Sequence, residues 1–139
     1  MQSQPASELT SWPRRAMPKG MVLLVDDEPA LGEMLHESLS QRGFRALVAV
    51  SPAEALDLAQ RYPIALLVTD LMMPGMTGIE LAARVRQLQA QVPVILVSGS
   101  PEAGTLAIEP PSAFLAKPFS LGDLAATAAS LMAIAAQPG

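Results

Sequence analysis

Five short runs of almost unbroken apolar residues, at 21–25, 45–50, 64–69, 94–97 and 113–116, are set along the chain with longer segments between them. Arg45 and Thr69, each at the end of a run, are the polar exceptions. A strand paired on both edges and covered on both faces reads as such a run, and joining parallel strands takes a crossover of a dozen or more residues, usually a helix. The intervening segments meet that need. Leu31, Met34, Leu35 and Leu39 fall at helical spacing, as do Leu81, Val85 and Leu88, and then Leu121, Leu124, Ala128 and Leu131. A further helix is expected to start at Ser51 and Pro52, an N-cap followed by proline in the first turn, with Glu54 placed for a capping box and an end near Tyr62, before Pro63. Strands alternating with helices predict an α/β fold built on an open, doubly wound, five-stranded parallel sheet.

Two stretches break the pattern. Residues 1–19 carry Pro5, Pro13 and Pro18 without sustained periodicity, and read as a tail or linker ahead of one domain over 20–137, with Trp12 as an exposed or lightly packed side chain. Between Ser100 and Pro111, Gly104 and the Pro110-Pro111 pair leave room for only a shortened, irregular fourth crossover helix around 105–108. At 139 residues, half of them hydrophobic, the chain suffices for one core and therefore one active centre.

Charge and composition exclude several classes of function. A net charge of -4 and a pI near 4.8 lack the clustered Lys and Arg that a phosphate backbone requires, so direct nucleic-acid binding is not expected. Without cysteine there are neither disulfides nor thiolate metal sites. No apolar stretch reaches the length of a membrane span or forms a signal peptide, which predicts a soluble, cytoplasmic chain.

In open α/β sheets ligands bind beyond the carboxyl ends of the strands, where strand order reverses. Here the first run is followed by Asp26, Asp27 and Glu28, the third by Asp70, the fourth by Ser98, and the fifth by Lys117 and Pro118. Crowding like charges is unfavourable unless a hard cation sits among the oxygens, which points to Mg²⁺ (or Mn²⁺). With such a cation a carboxylate can attack phosphorus as a nucleophile, an ammonium from Lys117 can neutralise the transferred group, and Ser98 can hydrogen-bond a phosphoryl oxygen. Asp26 can also cap the helix that Pro29 opens. His36, between Glu33 and Glu37, reads as a solvated helix position, and Met72, Met73 and Met76 as loop packing.

The ordered set Val25-Asp26-Asp27-Glu28, Asp70-Leu71-Met72-Met73-Pro74-Gly75-Met76-Thr77-Gly78, Ser98 and Lys117-Pro118-Phe119 resembles the signature of response-regulator receiver domains of two-component signalling, over about residues 21–136. The resemblance implies a flavodoxin-like strand order 2-1-3-4-5 and a phosphorylation switch that catalyses at most its own phosphorylation and dephosphorylation. Asp70 would be the phosphoacceptor. The metal would be held by Asp27, Asp70 and the Met72 carbonyl, with Asp26 contributing through water. Ser98 and Phe114 would move together on phosphorylation, and the Lys117-Pro118 peptide would be cis. The implied partner is a sensor histidine kinase or a histidine phosphotransfer protein within a phosphorelay. The run from Phe114 to Phe119 also resembles receivers of hybrid sensor kinases.

Here the departures from the family pattern are Gly99 and the short, proline-bearing interval from Ser98 to Lys117, so output through the usual face of fourth helix, fifth strand and last helix is in question. Two other readings stay open at this level. One is a pseudo-receiver, a protein-interaction module that works without phosphorylation. The other is a haloacid-dehalogenase-like phosphatase with Asp26 as nucleophile and an acid two residues on, a position held here by Glu28; the cap region of that family is missing, and Asp70 would be left without a purpose.

Overall fold

In the computed structural model, residues 20–100 and 108–136 are described; the expectations for the tail at 1–19 and for the core of the fourth crossover lie outside them. The strands are β1 (Met21–Val25), β2 (Ala46–Ala49), β3 (Ile64–Asp70), β4 (Val94–Ser98) and β5 (Ser112–Ala116). The described helices are α1 (Pro29–Gln41), α2 (Pro52–Arg61), α3 (Gly78–Leu88) and α4 (Leu121–Ala136). All pairings are parallel, and the order is β2-β1-β3-β4-β5.

Alternation along the strands divides the core into two layers. Leu23, Val25, Leu67 and Val94 point to one face and pack with Ala55 and Leu58 of α2 and Leu81 and Val85 of α3. Val22, Leu24, Val68, Ile95 and Val97 point to the other and pack with Leu35 and Leu39 of α1 and Leu124, Ala128 and Leu131 of α4. Burial on both faces is why β1 to β4 carry no polar residue until their carboxyl ends; the edge strand β5 is less buried and begins with Ser112.

The helix expectations hold with two corrections. Met34 and Leu88 are 51% and 45% exposed, because the faces turned inward are Gly32, Leu35 and Leu39 on α1 and Leu81, Ala82 and Val85 on α3. Gly32 is required there: a Cβ would lie 2.9 Å from Val48 Cγ1. At the start of α2, Ser51 Oγ accepts from Glu54 N, but the Glu54 carboxylate accepts from Val50 N rather than from Ser51 N, so the expected box closes one residue early. The reciprocal box occurs instead at α3, where Thr77 Oγ1 accepts from Glu80 N and Glu80 Oε1 accepts from Thr77 N.

Candidate functional site

With the order β2-β1-β3-β4-β5, the chain winds outward in one direction from β1 to β2 and in the other from β3 to β5, so the crevice opens between the carboxyl ends of β1 and β3. Asp26 follows β1, and Asp70 closes β3. Asp26 N donates to Ala49 O and Leu71 N to Val97 O, so the backbone carrying each carboxylate is tied to a neighbouring strand. Lys117 reaches the same edge because its N–H donates to Ser98 O, one rung beyond Ser98↔Ala116, the last pair of the β4–β5 ladder.

One carboxylate oxygen from each of Asp26, Asp27 and Asp70 can be chosen so that all lie within 4.8 Å of one another. Asp26 is 6% exposed, Asp70 half-buried and Asp27 exposed. The Lys117 ammonium bridges this group, 3.1 and 3.2 Å from the two Asp70 oxygens and 3.7 Å from Asp26 Oδ2. Asp26 does not occupy the N-cap position of α1. That position is Glu28, whose side chain makes no cap, while Asp26 Oδ1 accepts from Glu28 N at 2.8 Å. Asp26 is thereby held with its second oxygen toward Lys117. Three acceptor-only carboxylates gathered beside the Lys117 ammonium suit a hard divalent cation, and this donor set fits Mg²⁺.

Other candidates sit around this group. Ser98 is buried at the end of β4, and its Oγ accepts from Ser100 N. Phe114, half-buried on β5, packs with Leu71, Leu96, Ile79 and Ile108 rather than among the acids. The Met72 side chain is 69% exposed. The Lys117-Pro118 peptide is cis, as is Pro110-Pro111. His36 is partly exposed on α1.

Two residues beside Asp70 support its position without carrying chemistry of their own. Thr69, fully buried, donates from Oγ1 to Asp70 O at 2.9 Å. Gly78 donates its N–H to Leu71 O, and a Cβ there would overlap Asp70 O and approach Leu96 Cδ1 to 2.9 Å. Their signal was positional: a hydroxyl just before the aspartate and a glycine where a helix must start against it. Gly78→Ala is expected to cost about 2–3 kcal/mol, within the range for overpacking. The loss would appear as a lower urea midpoint at unchanged slope.

A void of about 10 Å³ lies beneath the carboxylates, lined by Leu24, Leu31 and Leu35 together with Asp26, Asp70 and Lys117. It has room for about one water, and the burial of Asp26 and half-burial of Asp70 withdraw much of the group from bulk solvent. Burial accordingly pushes the Asp70 carboxyl above its ordinary value; the Lys117 hydrogen bond and charge oppose this, and the charges of Asp26 and Asp27 add to it. Burial pulls Lys117 down, but its hydrogen bond to Asp70 and the charges of Asp70, Asp26 and Glu28 outweigh that and leave it raised.

The signs give a pH prediction. A carboxyl raised on folding binds more protons folded than unfolded, so its contribution falls as pH climbs from the unfolded value, about 4, through the folded one. Lys117 contributes in the opposite range: its stabilisation is complete below the unfolded lysine value and is lost as pH rises through the higher folded one. In metal-free protein, urea midpoints of Asp70→Asn should therefore rise relative to the unsubstituted chain between acidic and neutral pH. A constant difference would contradict the raised Asp70.

Residues 22–129 match the family model described as the response regulator receiver domain. The chain is 31% identical over 109 residues to the response regulator receiver protein CpdR of Brucella abortus (strain 2308), covering 74% of this chain and 88% of that protein. It is 31% identical over 113 residues to the uncharacterized transcriptional regulatory protein YkoG of Bacillus subtilis (strain 168), covering 79% of this chain and 50% of that protein. The chain spans half or less of the length of the first curated relatives it matches. Among solved structures, the receiver domain of the hybrid histidine kinase CckA superposes with a TM-score of 0.71 at 31% identity, covering 81% of this chain and 99% of that one.

Proposed function

The chain belongs to the response regulator receiver domain family of two-component signalling, whose members are switches rather than conventional enzymes, and from that premise we propose that Asp70 accepts a phosphoryl group with Mg²⁺ bound beside it. The observation that carries this reading is the Lys117 ammonium held 3.1 Å from Asp70 within a cluster of three carboxylates at the β1/β3 switch point. The unit would be residues 20–137 behind a linker at 1–19, in a cytoplasmic phosphorelay.

In the proposed step an Asp70 oxygen attacks phosphorus of a phosphohistidine on a sensor kinase or phosphotransfer protein. A new O–P bond forms as the N–P bond breaks, and the imidazole nitrogen leaves with the electron pair and takes up a proton. Lys117 follows the charge from the carboxylate onto the phosphoryl oxygens. Asp27, Asp70 and the Met72 carbonyl would hold the divalent cation, with Asp26 contributing through water, and the cation would neutralise charge on the transferring group when bound. Ser98, at the neighbouring strand end, whose Oγ accepts from Ser100 N, would donate its O–H in a charge-assisted hydrogen bond to a phosphoryl oxygen, with Phe114 following on the same face.

Asp70 suits attack better than Asp26, the nucleophile of the phosphatase alternative, because Asp26 is almost fully buried with one oxygen engaged by Glu28 N. Intact mass after incubation with acetyl phosphate tests the reading, with acetate as the leaving group. A single adduct that requires Mg²⁺ is expected. A folded, Mg²⁺-binding protein that takes up no adduct would instead be a protein-interaction module.

A further inference from the structure

Pro110 and Pro111 lead into β5 without a backbone N–H between them, so this approach to the strand offers carbonyl acceptors and few donors. The donors come from Arg86 in the last turn of α3. Its Nε donates to Val92 O at 2.9 Å, and its two terminal nitrogens donate to Glu109 O at 2.7 Å and Pro111 O at 3.0 Å. Pro111 O also accepts from Val94 N, the first rung between β4 and β5. One guanidinium thus ties the helix, the start of β4 and the start of β5 together. Burial pulls Arg86 below its usual value, with Glu109 opposing.

β5 needs such a tie. It is an edge strand of five residues, none of them buried, so burial specifies its register weakly. Yet its register decides where Lys117 stands. A slip of one residue would move Lys117 by about 3.3 Å along the sheet and exchange the faces of Phe114 and Leu115. That distance is enough to break contacts of 3.1 and 3.2 Å with Asp70.

We propose that Arg86 is a positioning residue for Lys117: by forking onto Val92, Glu109 and Pro111 it pins the register of β5 on β4 and so sets the ammonium against Asp70 from the opposite end of the strand. The pin rests on the geometry of the strand pair; only its consequence for phosphoryl transfer rests on the switch proposed above. Lysine cannot replace it, since a single ammonium cannot serve three carbonyls spread over a planar fork.

The test compares Arg86→Lys and, as a second variant, Arg86→Gln with the unsubstituted chain at a temperature where each is fully folded. Three quantities are read: amide exchange at Val94 and Lys117, Mg²⁺ affinity by calorimetry, and adduct formation from acetyl phosphate at saturating Mg²⁺. Exchange at the Lys117 N–H, at the far end of the strand, is expected to rise about tenfold, the equivalent of losing one or two net hydrogen bonds. Mg²⁺ should bind more tightly, because the competing ammonium has drifted from the carboxylates, while the adduct forms more slowly. General destabilisation would not tighten Mg²⁺ binding. Faster exchange confined to Val94, with Lys117 protection and Mg²⁺ affinity unchanged, would overturn the pin. If the unsubstituted chain forms no adduct, the switch reading fails while Lys117 exchange still decides on Arg86.

Discussion

Asp70→Asn is expected to take up no phosphoryl group from acetyl phosphate at any Mg²⁺ concentration, while folding to a more stable metal-free protein at neutral pH than the unsubstituted chain. Both outcomes come from one carboxylate. The amide lacks the anionic oxygen that would attack phosphorus in the proposed step, so the route to an acyl phosphate would be closed rather than slowed. The same replacement removes a charge that burial and the neighbouring Asp26 and Asp27 disfavour by more than Lys117 compensates. The variant should also bind Mg²⁺ more weakly, by about tenfold or more, because one of three anionic donors has become neutral. Intact mass, urea midpoints in chelator and calorimetric titration read the three effects separately. An adduct on the variant would move the acceptor to another residue, Asp26 or Asp27 first.

The sheet was legible in the sequence because strands covered on both faces leave no room for polar residues, so apolar runs and strands coincide. Boundaries differ by a residue or two for a related reason: Asp70, Ser98 and Ser112 belong to the ladder through their backbones, which an apolar criterion passes over, and Arg45 and Val50 are apolar-run ends that make no ladder pair. The polar strand ends were legible too, since Asp26, Asp27, Asp70 and Lys117 each come at the end of an apolar run and are brought together at the edge.

What the sequence concealed is contact between a side chain and a distant backbone. Arg86 donates to carbonyls up to 25 residues away, and Gln89 joins Ala59 O and Tyr62 O to Ile64 N, closing the α2–β3 turn from the end of α3. A carbonyl is the same on every residue, so such partners leave no mark in residue types. The Thr77–Glu80 capping box was readable by its spacing, yet it overlaps the end of the stretch from Asp70 to Gly78, whose residue types point first to chemistry.

Lys117→Ala is expected to move metal-free stability and Mg²⁺ affinity in opposite directions, the second large effect. The ammonium lies 3.1 to 3.7 Å from two carboxylates, with 27% of the lysine side chain exposed against 13% for Asp70 and 8% for Asp26. Removing it leaves three carboxylates facing one another without a cation. Complete burial would make that a loss of about 3–5 kcal/mol, and the partial exposure of this pair brings it to about 1–3 kcal/mol. A divalent ion entering the same cluster meets less competition for Asp70 and Asp26, so its affinity should rise about tenfold, equivalent to about 1.4 kcal/mol. At a hundred times its dissociation constant the ion would return about 2.7 kcal/mol, enough to offset most of the loss. Transfer should nevertheless slow by about a hundredfold, the usual consequence of deleting one preorganised group that meets developing charge. Melting curves with and without Mg²⁺, titration calorimetry and the time course of adduct formation separate these effects. Weaker Mg²⁺ binding by Lys117→Ala would mean that the lysine supports the metal-binding arrangement, and the opposition between ammonium and metal would be wrong.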